Sequence, residues 1–252
     1  MPHRNIVAAD LDGADLEARV RALQAQCDAL RHDQDVLALG LSHDLRSPLR
    51  AIESFSYLLE QRAAQLDEPA RDHLRRIREA SARMARLVSR LNTYLQAGSM
   101  PLDTTDVDLV LLADWCIADL HDADPQRADI GVEIAPGLRA RGDERLLRTA
   151  LGELLHNAWT YAAADRPVRI RIEGERIDDA VYLRISDDGV GFDPALATKL
   201  GEPFQRLHAA THPDGTGLGI ATAMRIVERH GGTLRIEGRA GAGTVAHLVL
   251  PT

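Results

Sequence analysis

Cysteine, lysine and long apolar runs are all scarce in this chain of 252 residues. Two cysteines, Cys27 and Cys116, are too few for a disulfide framework or a thiolate metal cluster, and a reducing cytoplasm is the simplest compartment. No apolar run approaches the ~18 to 20 residues that span a bilayer, and the first residues lack a signal-peptide core. Positive charge is in deficit: 30 basic residues stand against 38 acidic ones, a formal net charge of -8. That balance argues against nucleic acid as the main partner, because phosphate neutralisation needs a positive excess. Lys199 is the only lysine, and arginine carries the remaining basic charge, which reads as composition bias. What is present, 45% apolar and 27% charged residues, belongs to a soluble globular protein long enough for one large domain or two ordinary ones.

The chain divides near Gly98-Ser99-Met100-Pro101. Before that point glycine is rare and apolar residues follow a helical period. Leu16, Val20, Leu23, Cys27, Leu30, Gln34, Leu37, Leu41 and Leu45 step by fours and threes along one stripe, a heptad seam that runs on through Pro48, Ile52, Phe55 and Leu59. A helix from Leu16 to Leu66 would be roughly 75 Å long. Asp67-Glu68-Pro69 carries helix-start chemistry, and a second stripe follows at Leu74, Ile77, Ser81, Met84, Val88, Leu91 and Leu95. Two long antiparallel helices with narrow seams leave apolar surface wet, and pairing two hairpins into a four-helix bundle buries it, so a homodimer is expected.

After Gly98 glycines cluster and short β-branched runs alternate with helical patterns. Strands are expected at Ile130–Ala135, Val168–Glu173, Val181–Ser186, Thr233–Glu237 and Thr244–Leu250, and helices at Leu109–Leu120, Glu144–Ala162 and Leu218–His230. Meander pairing with helices on one face suggests an α/β sandwich. The stretch from Phe192 to Gly215 has little periodicity and reads as a lid or a disordered loop.

Three local patterns carry chemistry. His43 lies about 200° around its helix from Leu41 and Leu45, so its ring points to solvent with Asp44 beside it. Such a pair is a solvated helix face, or a nucleophile whose second ring nitrogen keeps its proton on a carboxylate. Pro48 removes the amide that would bond the carbonyl of Asp44 and favours a bend there. Asp187-Asp188-Gly189-Val190-Gly191 closes a strand, and Gly215-Thr216-Gly217-Leu218-Gly219 opens a helix. These are two ordinary turns, or a backbone that approaches a ligand closely and offers free amides to phosphate. Asp187 either caps its turn or accepts from an adenine amino group. Glu153 and Asn157, spaced i, i+4, share a helix face and either bond each other or suit a hard cation such as Mg²⁺. His156 sits one step round, as a structural or lid-facing residue.

Together, and in this order, the patterns resemble the sensor histidine kinases of two-component signalling, from about Leu37 to the C-terminus. His43 to Pro48 resembles the H box, Glu153 to Tyr161 the N box and Asp187 to Gly191 the G1 box. Glu202 to Arg206 resembles the F box and Gly215 to Gly219 the G2 box. His230-Gly231-Gly232 and Gly241 to Thr244 are similar to the family's closing segment. The wording around His43, with Phe204-Gln205-Arg206-Leu207-His208, is similar to the branch that includes phytochrome-linked kinases.

The resemblance implies a dimeric helical hairpin followed by an α/β sandwich that binds ATP. The implied divisions are a coiled-coil extension over residues 1–36, a dimerisation and phosphotransfer domain over 37–98, and a catalytic domain over 99–252. It implies that His43 accepts phosphate, that Asp44 orients it, and that Asn157 holds Mg²⁺ with Glu153 behind it. Asp187 would read adenine, with Thr244 near it through water. Tyr161, Gly189, Gly191, Phe204, Gly215, Gly217, Leu218 and Gly219 would line the nucleotide and its lid, and Arg206 would reach the γ-phosphate. A response regulator receiver domain is the implied partner, with input from an upstream sensor module or another protein, since no sensor domain is visible.

Five positions depart from the family pattern. Thr160 stands where lysine is usual, Gly201 where the F box has its first phenylalanine, Asp188 where asparagine is common, Glu153 where many members carry asparagine, and Ser47 where strong phosphatases carry Thr or Asn. Two other readings compete: a dimeric scaffold with a degenerate ATP lobe, and an ATPase of the related topoisomerase, chaperone and mismatch-repair type. The arginines at 71, 75, 78, 83, 86 and 90 read as a solvated face, or as a surface for an acidic regulator.

Overall fold

A computed structural model describes residues 13–62, 66–125, 130–162, 167–207 and 215–252. Helix α1 spans Gly13–Glu60 and passes through Pro48 without interruption. It ends before the expected Leu66: the amide of Gln61 donates to Tyr57 at 3.1 Å, but that of Arg62 turns to Leu59 at 3.0 Å, and this tightening closes the helix. Helix α2, Glu68–Ser99, starts as its sequence dictates. The Asp67 carboxylate accepts from the amide of Ala70 at 2.9 Å, and Pro69 occupies the first turn.

The heptad stripes divide into two faces. On α2, Leu74, Ser81, Val88 and Leu95 are buried at seven-residue intervals against α1, while Ile77 and Met84 are exposed. On α1 the buried positions are Leu49 and Ser56. The expected seam residues Leu45, Ile52, Phe55 and Leu59 face solvent in the single chain. These seam residues lie on the outside of the single hairpin, in line with the expectation that one hairpin leaves apolar surface wet. Farther up α1, Val20 and Leu23 are also exposed. The side chains of Leu16, Cys27, Leu30, Gln34, Leu37 and Leu41 lie outside the described residues.

The second half holds a five-stranded mixed sheet in the order β2 (Ile130–Ile134), β4 (Val168–Ile177), β5 (Ala180–Asp187), β7 (Thr244–Pro251) and β6 (Thr233–Gly238). Only β2 and β4 run parallel. Helices α3 (Leu109–Ala123), α4 (Glu144–Thr160) and α5 (Gly219–Arg229) cover one face. Period-two alternation decides which side chains meet them: Ile172, Ile185, Ala246 and Ile236 sit opposite one another across four strands, all buried. The other face is polar, with Arg171 paired to Glu133 at 2.8 Å and Arg184 to Glu173 at 3.5 Å. Two strands escaped the sequence reading, β1 (Thr105–Asp108) and β3 (Arg139–Gly142), which form a separate antiparallel pair. At four residues each, they are too short for periodicity to separate them from loop.

The N-terminus of α4 is the best-satisfied junction in the lobe. Asp143, 1% exposed, caps the helix by accepting from the amides of Arg145 and Leu146. It also accepts from the Asp103 amide at 2.9 Å and from the Arg145 guanidinium at 2.8 Å. Its own amide donates to Nε2 of buried His230 at 2.9 Å, and Nδ1 of that ring bonds the Ile226 carbonyl at 2.7 Å. One histidine thereby ties the end of α5 to the start of α4. The Arg145 hydrogen bond, aided by the amides and opposed by burial, holds the Asp143 carboxyl far below the usual range. We expect Asp143→Ala to lower stability by about 3 kcal/mol in urea unfolding at pH 7. Because the folded pKa is depressed, that difference is present in full above about pH 4 and shrinks on acidification below it.

Candidate functional site

Between α4, α5, the sheet and the Phe192–Leu207 segment lies a cavity of about 590 Å³. Glu153, Asn157 and Tyr161 enter it from α4 and its C-terminal cap, and Asp187 from the end of β5. Of the other expected residues, Gly191, Arg206, Gly215, Gly217, Gly219 and Thr244 also line it. Ile185, Phe192, Ile220, Ile236 and Ala246 add an apolar wall that the sequence reading did not assign.

Asp187 reaches the cavity through strand periodicity: it is the next inward position after Val181, Leu183 and Ile185. Its Oδ1 accepts from the amides of Gly189 at 2.9 Å and Thr244 at 3.2 Å. The expected link to Thr244 through water is thus a direct bond to its backbone. Oδ2 has no hydrogen-bond partner among the described residues. Burial pushes the Asp187 carboxyl up to about 6 against the pull of those two amides. Gly243, at φ +85°, brings its α-carbon against the Asp187 carbonyl, an approach and a backbone angle that exclude a side chain.

Gly219 opens α5 with no side-chain cap on Leu218, so the first amides of the helix stay open beside the glycines that line the cavity. Leu218 itself is fully buried and does not line the cavity; its carbonyl receives the Thr222 amide at 2.8 Å. Gly189 and Phe204 also stand outside the lining. Gly189 acts through its amide on Asp187, and Phe204 is exposed with its amide donating to the Gly217 carbonyl at 2.9 Å, which ties the lid segment to the start of α5.

Within the expected lid segment a 3₁₀ turn spans Pro194–Lys199, capped by Asp193. Residues 208–214 of the expected loop lie outside the described residues. At Gly201, whose φ is +94°, the thioether of Met224 occupies the place where a β-carbon would stand, so a side chain has no room there. Thr160 lines the cavity without a charge, while Lys199, to which the sequence reading gave no role, lines it with one.

Glu153 is buried, and its carboxylate receives the guanidinium of Arg90, which comes from α2, 63 residues away in sequence. Burial raises the Glu153 pKa and Arg90 opposes the rise. Burial likewise raises the Tyr161 hydroxyl, opposed by nearby Arg206. Asn157 and Glu153 share the cavity face of α4, and no group of three or more His, Cys, Asp or Glu side chains able to hold a metal occurs among the described residues. One carboxylate and one amide fit a hard cation that takes its remaining ligands from phosphate and water.

The arginine stripe of α2 is divided in use. Arg75 pairs with Asp72 and with Glu79 at 2.9 Å, and Arg78 with Glu60, whereas Arg86 and Arg90 line the cavity. On α1, His43 is 80% exposed and Asp44 82%, and Nδ1 of the imidazole stands 3.4 Å from the Asp44 carboxylate. Neither lines the cavity. With Glu60 opposite Arg78, His43 stands level with Leu95 and about 8 Å along the stalk from Arg90.

Comparison with known proteins reports on both halves. Residues 34–99 match the His Kinase A (phospho-acceptor) domain, and residues 142–252 match the histidine kinase-, DNA gyrase B- and HSP90-like ATPases. The phytochrome-like protein Cph1 of Synechocystis is 30% identical over 212 residues, covering 83% of this chain and 28% of that protein. The phosphate regulon sensor protein PhoR of Pseudomonas aeruginosa is 28% identical over 228 residues, covering 87% and 49%. The chain thus spans less than half the length of these two relatives. Among solved structures, the mycobacterial sensor histidine kinase MprB is 28% identical with a TM-score of 0.51 over 59% of this chain and 97% of that one. Full-length ShkA in complex with AMPPNP shares the fold, with a TM-score of 0.66 at 24% identity over 85% of this chain and 45% of that one. A phospho-acceptor hairpin followed by an ATPase-type lobe, matched throughout by sensor kinases, places this chain in the family of two-component sensor histidine kinases.

Proposed function

We propose that the protein is an ATP-dependent histidine kinase that phosphorylates His43 and passes the phosphoryl group to an aspartate of a response regulator receiver domain. The observation that carries the reading is a single cavity that joins Asp187, Asn157 and the open amides of α5, seated against the helical stalk that presents the exposed His43–Asp44 pair. In this reading Asp187 accepts from the adenine amino group and the apolar wall takes the ring. The start of α5 and Arg206 meet the phosphates, where charge spread over the transferring group is stabilised mainly by positioned cations. Asp44 holds the proton on Nδ1, Nε2 attacks the terminal phosphorus, and the bond to the bridging oxygen of ADP breaks. Mg²⁺, held through Asn157 and Glu153, would neutralise phosphate charge when bound.

The outward stripe Leu45, Ile52, Phe55 and Leu59, with Ile77 and Met84, supports a homodimer that buries it. Domain limits at residues 37 and 99 follow, the second where α2 ends. A reducing cytoplasm suits the buried free thiol of Cys116. No described helix is long and apolar enough to cross a membrane. The hydrolase alternative is disfavoured by the hairpin matched over residues 34–99 to a phospho-acceptor domain, which presents the exposed His43.

Incubation with γ-labelled ATP and Mg²⁺ should give an acid-labile, base-stable label that His43→Gln abolishes; a label surviving that substitution overturns the assignment. Mixing the His43 variant with an Asn157 variant will restore labelling if transfer runs between subunits. A second expectation concerns pH. Because burial raises the Asp187 carboxyl to about 6, its ionised, accepting form is complete only above about pH 7. Affinity for an adenine nucleotide should fall about tenfold between pH 7.5 and 5, and Asp187→Asn should bind weakly with a flat profile. The same raised value means that ionised Asp187 costs folding stability at neutral pH, a cost relieved as pH falls through 6 toward 4.

A further inference from the structure

Two sets of contacts join the lobe to the stalk, and they differ in kind. Near the covalent connection, Arg229 of α5 donates to the carbonyls of Ala97 at 2.8 Å and Met100 at 2.5 Å, and the Arg225 guanidinium lies 4.7 Å from the Tyr94 ring centre. These hold the point about which the lobe can turn. The other contact, Arg90 to Glu153, lies about 12 Å farther along α2 from Gly98 and ends inside the nucleotide cavity. The Glu153 side chain is 9% exposed, so its charge needs a partner, and the partner comes from the other domain. Its Oε1 faces Arg90. Its Oε2 points to the start of α5, 2.7 Å from where a β-carbon on Gly219 would stand, and the Asn157 amide is 3.8 Å from that same point. Glycine at 219 leaves the room this carboxylate occupies.

We propose that Arg90 is a positioning residue that holds the countercharge place at Glu153 that a divalent cation takes when ATP is loaded. Glu153 then exchanges a stalk cation for a nucleotide-borne one, and the lobe, released at its far contact, swings on the Arg225–Arg229 anchor toward His43. The inference rests on the kinase reading above. Its physical basis is competition: an arginine and a divalent cation beside one buried carboxylate repel each other where water cannot screen them. Linkage makes the effect reciprocal. Whatever factor the metal takes from the Arg90 contact, removal of Arg90 must return to metal–nucleotide affinity.

The opposite role for Arg90, a phosphate ligand replacing the lysine absent at Thr160, predicts the opposite sign, so one experiment separates them. In full-length protein, AMPPNP affinity is measured by calorimetry with Mg²⁺ and with EDTA, for wild type and Arg90→Ala. Cleavage of the 98–104 connection by chymotrypsin is followed in the same samples. We expect Arg90→Ala to bind Mg²⁺·AMPPNP about 5- to 20-fold more tightly, with less than a twofold change in EDTA. Wild type should be cleaved slowly alone and at least threefold faster with Mg²⁺·AMPPNP. The variant should be cleaved at the faster rate without ligand. A gain of affinity confined to Mg²⁺ is something a merely structural contact would not produce. Weaker Mg²⁺·AMPPNP binding by Arg90→Ala, or cleavage rates indifferent to ligand and to the substitution, overturns the exchange while leaving the kinase reading intact. If wild type binds no nucleotide and His43 takes no label, the kinase reading falls and the exchange with it.

Discussion

A carboxylate taken out of water must be given donors, and three carboxylates, Asp143 and Glu153 buried and Asp187 half-buried, show what this protein does with that requirement. Asp143 receives amides and a guanidinium from its own lobe, and it anchors the junction of α4, α5 and the first strand pair. Asp187 receives only two amides, both on one oxygen, and its carboxyl sits well above the ordinary value. Glu153 borrows its cation from the stalk. The first is a structural joint; the other two draw few donors from their own lobe, and both face the same cavity. Under-satisfaction of buried charge is how this fold marks the place where a ligand completes the bonding.

The stalk obeys a parallel logic in apolar terms. Each helix carries more apolar positions than its partner in the same chain can cover, and they separate into an inner row and an outer row. The inner row includes Leu49, Leu74, Val88 and Leu95, and the outer row Leu45, Ile52, Phe55, Leu59, Ile77 and Met84. In the proposed homodimer a second copy would cover the outer row, and dimerisation and phosphotransfer would then share one scaffold. His43 lies off both rows, which keeps its ring in solvent whichever rows are covered.

Much of the lobe was legible because its elements are long or strictly alternating. The inward positions of β4, β5 and β7 follow from period two, and Asp187 falls on the inward count of β5, so its entry into the cavity was readable in principle from Val181 onward. The limits of α2 were readable from Asp67 and Pro69. The pair β1–β3 was not, because four-residue strands 31 residues apart at their nearest carry no local signature and exist only through each other. Which neighbour covers each stripe was not legible for a related reason: periodicity identifies an apolar face but does not say what packs on it.

Sequence alone determined the chemistry on offer: an exposed imidazole beside a carboxylate, glycines where a helix must open to phosphate, and a carboxylate and an amide one helical turn apart. These depend on residue type and short spacing, which helix and strand geometry convert directly into direction. Tertiary structure alone decided which groups share a cavity. Arg90 among the stalk's arginines meets Glu153, Lys199 turns into the lining, and Met224 fills the room beside Gly201. Such meetings join residues far apart in the chain, and burial and charge pairing select them only once the helices and sheet have packed.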